Sequence, residues 1–347
     1  MNMSIVDEIV EVVNSYDVGI LDRPGMPRFT DLVRDALTGQ INLSLSGVIT
    51  AFGDVVFAEF IANGQLIRQL VVIATLGALM SCLTEAFKHK SASETGFYVT
   101  YLMAALLVVS SFYIVVGMLN SLVGIVTALM YASIPLMIGL MVMGGNFVGA
   151  AAFQPMMFFA LQLVTWFISG LFIPLVFSSA ALDIAGQIAP DGHKLEKMAQ
   201  LMRKIASWSL KGILAAFAFL LTLQRFSAPI ISNVAIRTSR NVVGAVPVVG
   251  GAFSAAVDTV VSFSQAARSG VLVALVLVLC FVLATPLLKM LVMSFIYRVV
   301  AAFLQPIADK RLVALMDGIG KHMAMLFNAA ALIGVMCIYS VVILLSF

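Results

Sequence analysis

The sequence predicts an all-α, polytopic helical membrane protein with about seven spanning helices, a broken re-entrant or interfacial hairpin and amphipathic surface helices. Three observations carry that prediction. Hydrophobic residues fill 62% of 347 positions and charged residues only 11%, about half the charged share usual in soluble domains. A soluble fold could not cover that much apolar surface with so few polar groups, whereas a bilayer removes the requirement. Residues 95 to 182 hold no Lys, Arg, Asp or Glu across 88 positions, room for three or four passes at about 20 residues each. The remaining bases stand mostly at the ends of apolar runs, as membrane anchors and orientation signals do; nucleic acid is excluded as a partner on the same ground.

Residues 1–65 are the least apolar part and form a polar, amphipathic N-terminal segment; 66–347 form the transmembrane domain. The segment carries nine acids against Arg23, Arg28 and Arg34 and breaks at Arg23-Pro24-Gly25-Met26-Pro27. Met1–Tyr16 lacks a basic start and contains Asp7, Glu8 and Glu11, so it does not read as a secretory signal. Ile5, Ile9, Val12 and Val13 recur at helical spacing, which predicts a surface helix. The expected spans are Leu66–Phe87, Phe97–Leu119, Leu122–Met143, Phe153–Ala181, Leu210–Gln224, Gly270–Tyr297 and His322–Phe347. Pro155 and Pro174 make the fourth either a kinked helix or two shorter ones.

Between the fourth and fifth spans, Leu195, Met198, Met202, Ile205 and Trp208 share one helical face, with Lys197, Arg203, Lys204 and Lys211 on the other side. This is the pattern of a basic helix lying along the bilayer surface with Trp208 at headgroup depth, or of an ordinary solvated linker helix. Asn241–Val257 is uncharged, yet Gly244, Pro247, Gly250 and Gly251 would break a spanning helix. Broken backbone at membrane depth needs cover from protein or water, which makes this stretch a re-entrant or interfacial hairpin. Arg237 and Arg240 precede it; Asp258 and Arg268 follow.

Catalytic constellations are missing, so no enzyme and no cofactor is expected. His89, His193 and His322 have no Cys or carboxylate at ligand spacing, and Gly144-Gly145-Asn146-Phe147-Val148-Gly149 lacks the lysine of a phosphate loop. Gly145 and Gly149, with Gly139 nearby, instead form a small-residue face suited to helix packing. Cys82, Cys280 and Cys337 lie apart in apolar runs and read as buried, inert thiols. Lys289 is the deepest charge within a span, where an unpaired charge costs a few kcal/mol. It is the leading candidate for a functional or pairing role, with Asp258 as its expected partner.

Several of these stretches fall in a recognisable order. Arg237-Thr-Ser-Arg is followed by Val-Pro-Val-Val-Gly-Gly-Ala-Phe-Ser-Ala-Ala-Val-Asp-Thr-Val. Pro286-Leu-Leu-Lys-Met-Leu leads on to Phe-Ile-Tyr-Arg-Val-Val-Ala-Ala-Phe-Leu-Gln-Pro-Ile-Ala-Asp-Lys-Arg. With Gly144–Pro155 and Leu-Met-Arg-Lys-Ile at 201–205, this resembles the stage III sporulation protein AE family of endospore-forming bacteria over roughly residues 60–347. The resemblance implies a subunit of the transenvelope channel, or feeding tube, between mother cell and forespore. It places the chain in the mother-cell membrane surrounding the forespore. Implied partners are the other products of the same sporulation operon, including an ATPase and ring-forming proteins of the intermembrane space, and further copies of the chain as a homo-oligomer. Members of that family usually begin with a signal sequence, and Met1–Tyr16 departs from that pattern.

Three functions follow as alternatives: a conduit subunit that lines a pore, a stand-alone secondary transporter suggested by the broken hairpin and Lys289, and a passive scaffold for partner subunits. Orientation stays open. A positive-inside count over seven spans puts the N-terminus in the cytoplasm, whereas the family's usual signal sequence puts it outside.

Overall fold

The computed structural model describes residues 45–86, 90–143, 147–189, 192–243, 276, 279–280 and 282–345, and all regular secondary structure among them is helical. Helix α1 covers Leu45–Ala62, α2 Gly64–Ala86, α3 Lys90–Met143 and α4 Phe147–Phe167. A π-helical turn, Ile168–Phe172, leads into α5, Ile173–Gly186. Helix α6 covers Gly192–Val243, α7 Val282–Leu304 and α8 Lys310–Leu345. Four stretches are long and apolar enough to cross a bilayer: Thr95–Pro135, Pro155–Gly186, Val282–Leu304 and Lys310–Ile338. The bent pair Val56–Ala62 and Gly64–Ile73, turned by 53°, makes a fifth if counted as one broken span.

Among the described residues the expected count of seven is not confirmed, for identifiable reasons. Phe97–Leu119 and Leu122–Met143, expected as two spans, are one uninterrupted helix of 54 residues. Nothing between them ends a helix: Asn120 and Ser121 are polar, but no glycine, proline or charge stands there. Leu210–Gln224 likewise continues directly from the basic segment before it, giving one helix of 52 residues. The Ser209 hydroxyl turns back onto the Ala206 carbonyl at 3.0 Å and does not open the chain. The expected first span, Leu66–Phe87, falls on α2, Gly64–Ala86; the chain bends sharply ahead of it at Asn63, whose amide donates to the Glu59 carbonyl and carboxylate at 2.9 and 3.1 Å. The last helix begins at Lys310, twelve residues before the expected His322.

Pro155 and Pro174 resolve differently. Pro155 stays inside α4. Ahead of Pro174, the Ile173 N–H reaches five residues back to Ile168 O, a π-type bond that absorbs the proline's missing donor and its ring within a continuous helical path.

Packing brings α5 and α6 together as an antiparallel hairpin, places α3 against α2, α4 and α8, and sets α6 across α4. Tyr101, Val108, Phe112, Leu119, Leu122 and Met130 are all buried along one stripe of α3, the 3.6-residue period of a packed face. The opposite side is equally apolar: Leu102, Leu106 and Tyr113 are more than half exposed. Helices apolar all round suit lipid or partner helices, and their association rests on close contact rather than on expulsion of water. Helices α7 and α8 run antiparallel. A Cβ on Gly320 would stand 2.9 Å from Arg298 Cγ and 3.4 Å from the Ser294 carbonyl oxygen. The Ser294 hydroxyl donates to the Gly320 carbonyl at 2.9 Å. The turn between them closes with Asp309, whose carboxylate accepts from Arg311 N–H at 2.8 Å as the N-cap of α8.

Candidate functional site, a buried polar cluster among apolar helices

The charged end of the bundle is where α3 and α8 begin, α5 ends and α6 begins. Two contacts tie these ends: Tyr101 on α3 donates to the Ile184 carbonyl at 2.9 Å, and the Arg311 guanidinium stands 5.7 Å from the Phe97 ring centroid. Inside this junction lies the one buried histidine among the described residues, His322, 1% exposed. Its Nδ1 donates to the Gly318 carbonyl of its own helix at 2.7 Å. Its Nε2 lies 3.0 Å from the hydroxyl of Ser179, which is fully buried on α5. That hydroxyl also stands 2.9 Å from the Ala199 carbonyl on α6. Asp183, one turn after Ser179, forms an ion pair with Arg203 of α6 and lies 3.5 Å from His322 Nε2. Phe112 stands edge-on to the His322 ring and closes the pocket from α3.

Serine, histidine and aspartate together invite comparison with a nucleophile relay, and the geometry differs from one. In a relay the serine and the carboxylate address opposite ring nitrogens. Here Ser179 and Asp183 both face Nε2, while Nδ1 is held by backbone. The arrangement is suited to joining α5, α6 and α8 through polar bonds, which small and hydroxylic residues do well between apolar helices. A second polar seam joins α3 to the neighbourhood of the π turn. The Ser169 hydroxyl donates to Asn120 Oδ1 at 3.3 Å, and the hydroxyls of Thr127 and Thr165 meet at 3.2 Å.

The residues singled out by sequence fall elsewhere. Lys289 sits on α7, half-buried, with no ion pair among the described residues. One turn before it, the Thr285 hydroxyl is buried without a hydrogen-bond partner there. Arg237 and Arg240 belong to the last turns of α6. Gly244, Pro247, Gly250, Gly251 and Asp258, and with them the expected hairpin, lie outside the described residues, as do Gly145 and the Met1–Tyr16 helix. Gly149 lies in the first turn of α4; Gly139 on α3 has open space where a Cβ would stand, so no described helix presses on it. Cys337 is buried as expected, but Cys280 is exposed.

The basic helix at the start of α6 is amphipathic in a way that divides the expected face. Ala199 and Ala206 are buried and Met202 is half-buried, whereas Met198, Leu201, Ile205 and Trp208 form an exposed apolar stripe flanked by Lys197, Lys204 and Lys211. Arg203 is not a surface decoration; it is the partner of Asp183. Sequence reading missed this cluster because the bonds that join its helices link residues 20 to 143 positions apart.

The family model described as stage III sporulation protein AE matches residues 28–347. Stage III sporulation protein AE of Bacillus subtilis (strain 168) is 28% identical over 311 residues, covering 89% of this chain and 78% of that protein. No solved structure matches. The family match begins ahead of the first described helix and runs to the last residue, so every helix and the buried cluster fall within it, and the chain belongs to the stage III sporulation protein AE family.

Proposed function

We propose that this chain is a membrane subunit of a multiprotein channel that joins mother cell and forespore during sporulation, seated in the mother-cell membrane around the forespore. Its partners in this reading are further copies of itself and the other products of its operon, including an ATPase and ring-forming intermembrane proteins. The observation that carries the reading is a filled interior beneath an apolar exterior. Between α3, α4, α6 and α8 the void is about 20 Å³, lined by Val123, Leu161, Phe217 and Ile333, room for about one water and for no larger solute. The space between these four helices offers no solute path, so in this reading such a path runs between subunits. The same packing argues for a structural rather than a catalytic role.

Native mass spectrometry of the full chain in mild detergent, alone and with co-expressed operon partners, should show defined multimers. Monomers at every concentration and lipid condition would overturn the reading. In sporulating cells, Gly250→Leu with Gly251→Leu should block late forespore gene expression at normal membrane abundance. Reduced abundance would assign these glycines to packing, and normal abundance with normal expression would exclude both roles. The bend of 53° between Val56–Ala62 and Gly64–Ile73 favours a second reading, a stand-alone secondary transporter with a broken helix. Solute uptake by the purified chain alone in proteoliposomes would select it.

A further inference from the structure

The turn joining α7 and α8 encloses a cleft of about 600 Å³, lined on its polar side by Arg298, Gln305, Lys310 and Asp317 and floored by Ala301, Ala302 and Ala314. The small floor residues are what make the room. Asp317 is already engaged by Lys321 at 2.6 Å, one turn along α8. With that carboxylate neutralised, the guanidinium of Arg298 and the ammonium of Lys310 leave the cleft net positive, and the Gln305 amide adds a neutral donor. Both cations are exposed, so an incoming anion is not blocked by protein.

Position decides which anion. The cleft opens at the ends of two stretches long and apolar enough to span, Val282–Leu304 and Lys310–Ile338, which is headgroup depth in any bilayer they cross. Along the same side of α7, one and two turns below Arg298, Phe295 is 54% exposed and Leu291 39% exposed. A charged cleft continued by an apolar strip matches a phosphate carried on acyl chains. We propose that this cleft binds the phosphate of an anionic phospholipid, with Arg298 and Lys310 on the phosphate and the acyl chains along Leu291 and Phe295.

The test uses the full-length chain, delipidated in mild detergent and titrated with phosphatidylglycerol, phosphatidylcholine or inorganic phosphate, with bound lipid counted by native mass spectrometry. The wild-type chain should retain phosphatidylglycerol in preference to phosphatidylcholine. Arg298→Gln with Lys310→Gln should weaken that retention about tenfold or more. Lys197→Gln with Lys204→Gln, removing two cations that do not line the cleft, should leave it unchanged. Ala302→Leu keeps both charges but fills the floor, and it should also lower retention; circular dichroism establishes that each variant is folded. Equal retention by the wild type and the Arg298/Lys310 variant would overturn the proposal. So would equal retention of the two lipids, or displacement of phosphatidylglycerol by millimolar inorganic phosphate, which would make the site one for a free anion.

Discussion

The Ser179 hydroxyl has one proton and two acceptors in reach, the Ala199 carbonyl at 2.9 Å and His322 Nε2 at 3.0 Å. While the imidazole is neutral, Nδ1 carries its proton toward Gly318 O, so Nε2 can only accept and competes with Ala199 for the serine proton. A proton added to the ring ends the competition. Nε2–H then donates to Ser179, Ser179 donates to Ala199, and Asp183 faces the new positive charge at 3.5 Å. Asp183 meanwhile balances Arg203, whose side chain is only 24% exposed. Asp183→Asn should therefore destabilise the protein by about 1–3 kcal/mol, because it leaves a half-buried guanidinium without its counter-charge. Adding Arg203→Gln should recover part of that loss, and thermal melts in detergent of the two single variants and the double variant measure it. Additive losses would mean the pair is not coupled. Little of this was legible in the sequence. His322 stands there beside Lys321 at the start of an apolar run, and its partner Ser179 is 143 positions earlier, beyond any local spacing rule. Lys289, by contrast, is visible because a lone charge inside an apolar run is conspicuous by itself.

Helices α5 and α6 depend on their connection. Ala189 N–H donates to the Ala185 carbonyl at 3.0 Å and Gly192 N–H to the Ala189 carbonyl at 3.1 Å, folding the chain back within a few residues. A Cβ on Gly192 would overlap the Gly186 carbonyl oxygen, so the backbones approach as only glycine permits. Gly192→Val should spread the hairpin and pull Ala199 away from Ser179. The expected cost is about 1–3 kcal/mol, seen as a lower melting temperature and faster trypsin cleavage near Lys194. An unchanged melt would mean that the turn relaxes without strain. The helical class was legible element by element because the uncharged run and the amphipathic period both survive in the structure. The number of spans was not. A ruler of about 20 residues divides any long apolar run into passes, but a turn also needs partners for its freed backbone groups. Leu119–Leu122 supplies none, and Asn120 spends its side chain on Ser169. At the start of α6, the pattern showed which residues alternate but not which apolar stripe faces protein; the small residues Ala199 and Ala206 took the packed side.

At the scale of the whole molecule, many of the described bases gather around the buried cluster. Lys197 and Lys204 stand in the first turns of α6, Arg298 toward the end of α7, and Lys310, Arg311 and Lys321 in the first turns of α8, whereas Arg237 and Arg240 stand at the far end of α6. The junction of α3 with α4, residues 135 to 155, has no charged residue at all. On the positive-inside rule, the basic end around the cluster is expected on the cytoplasmic side. With Cys82, Cys280 and Cys337 replaced by alanine, Lys197→Cys and Lys321→Cys should resist an impermeant maleimide on intact cells and react in inverted vesicles. Labelling on intact cells would invert the topology. The stretch Thr95–Pro135 of α3 brings a further consequence. Its 41 residues make an apolar rod about 60 Å long, against a hydrocarbon thickness of about 30 Å. Leaning enough to hide that length would take a tilt of about 60°, outside the usual range for membrane helices. Hydrophobic mismatch on this scale leaves roughly half the rod without acyl chains around it. Leu102, Leu106 and Tyr113 show that the described helices do not wrap it. In reconstituted bilayers the isolated chain should melt higher as the lipid chains lengthen, and co-assembly with partners should flatten that dependence. In the proposed assembly the surplus, about 30 Å of rod, would set the depth of the sleeve that neighbouring chains supply.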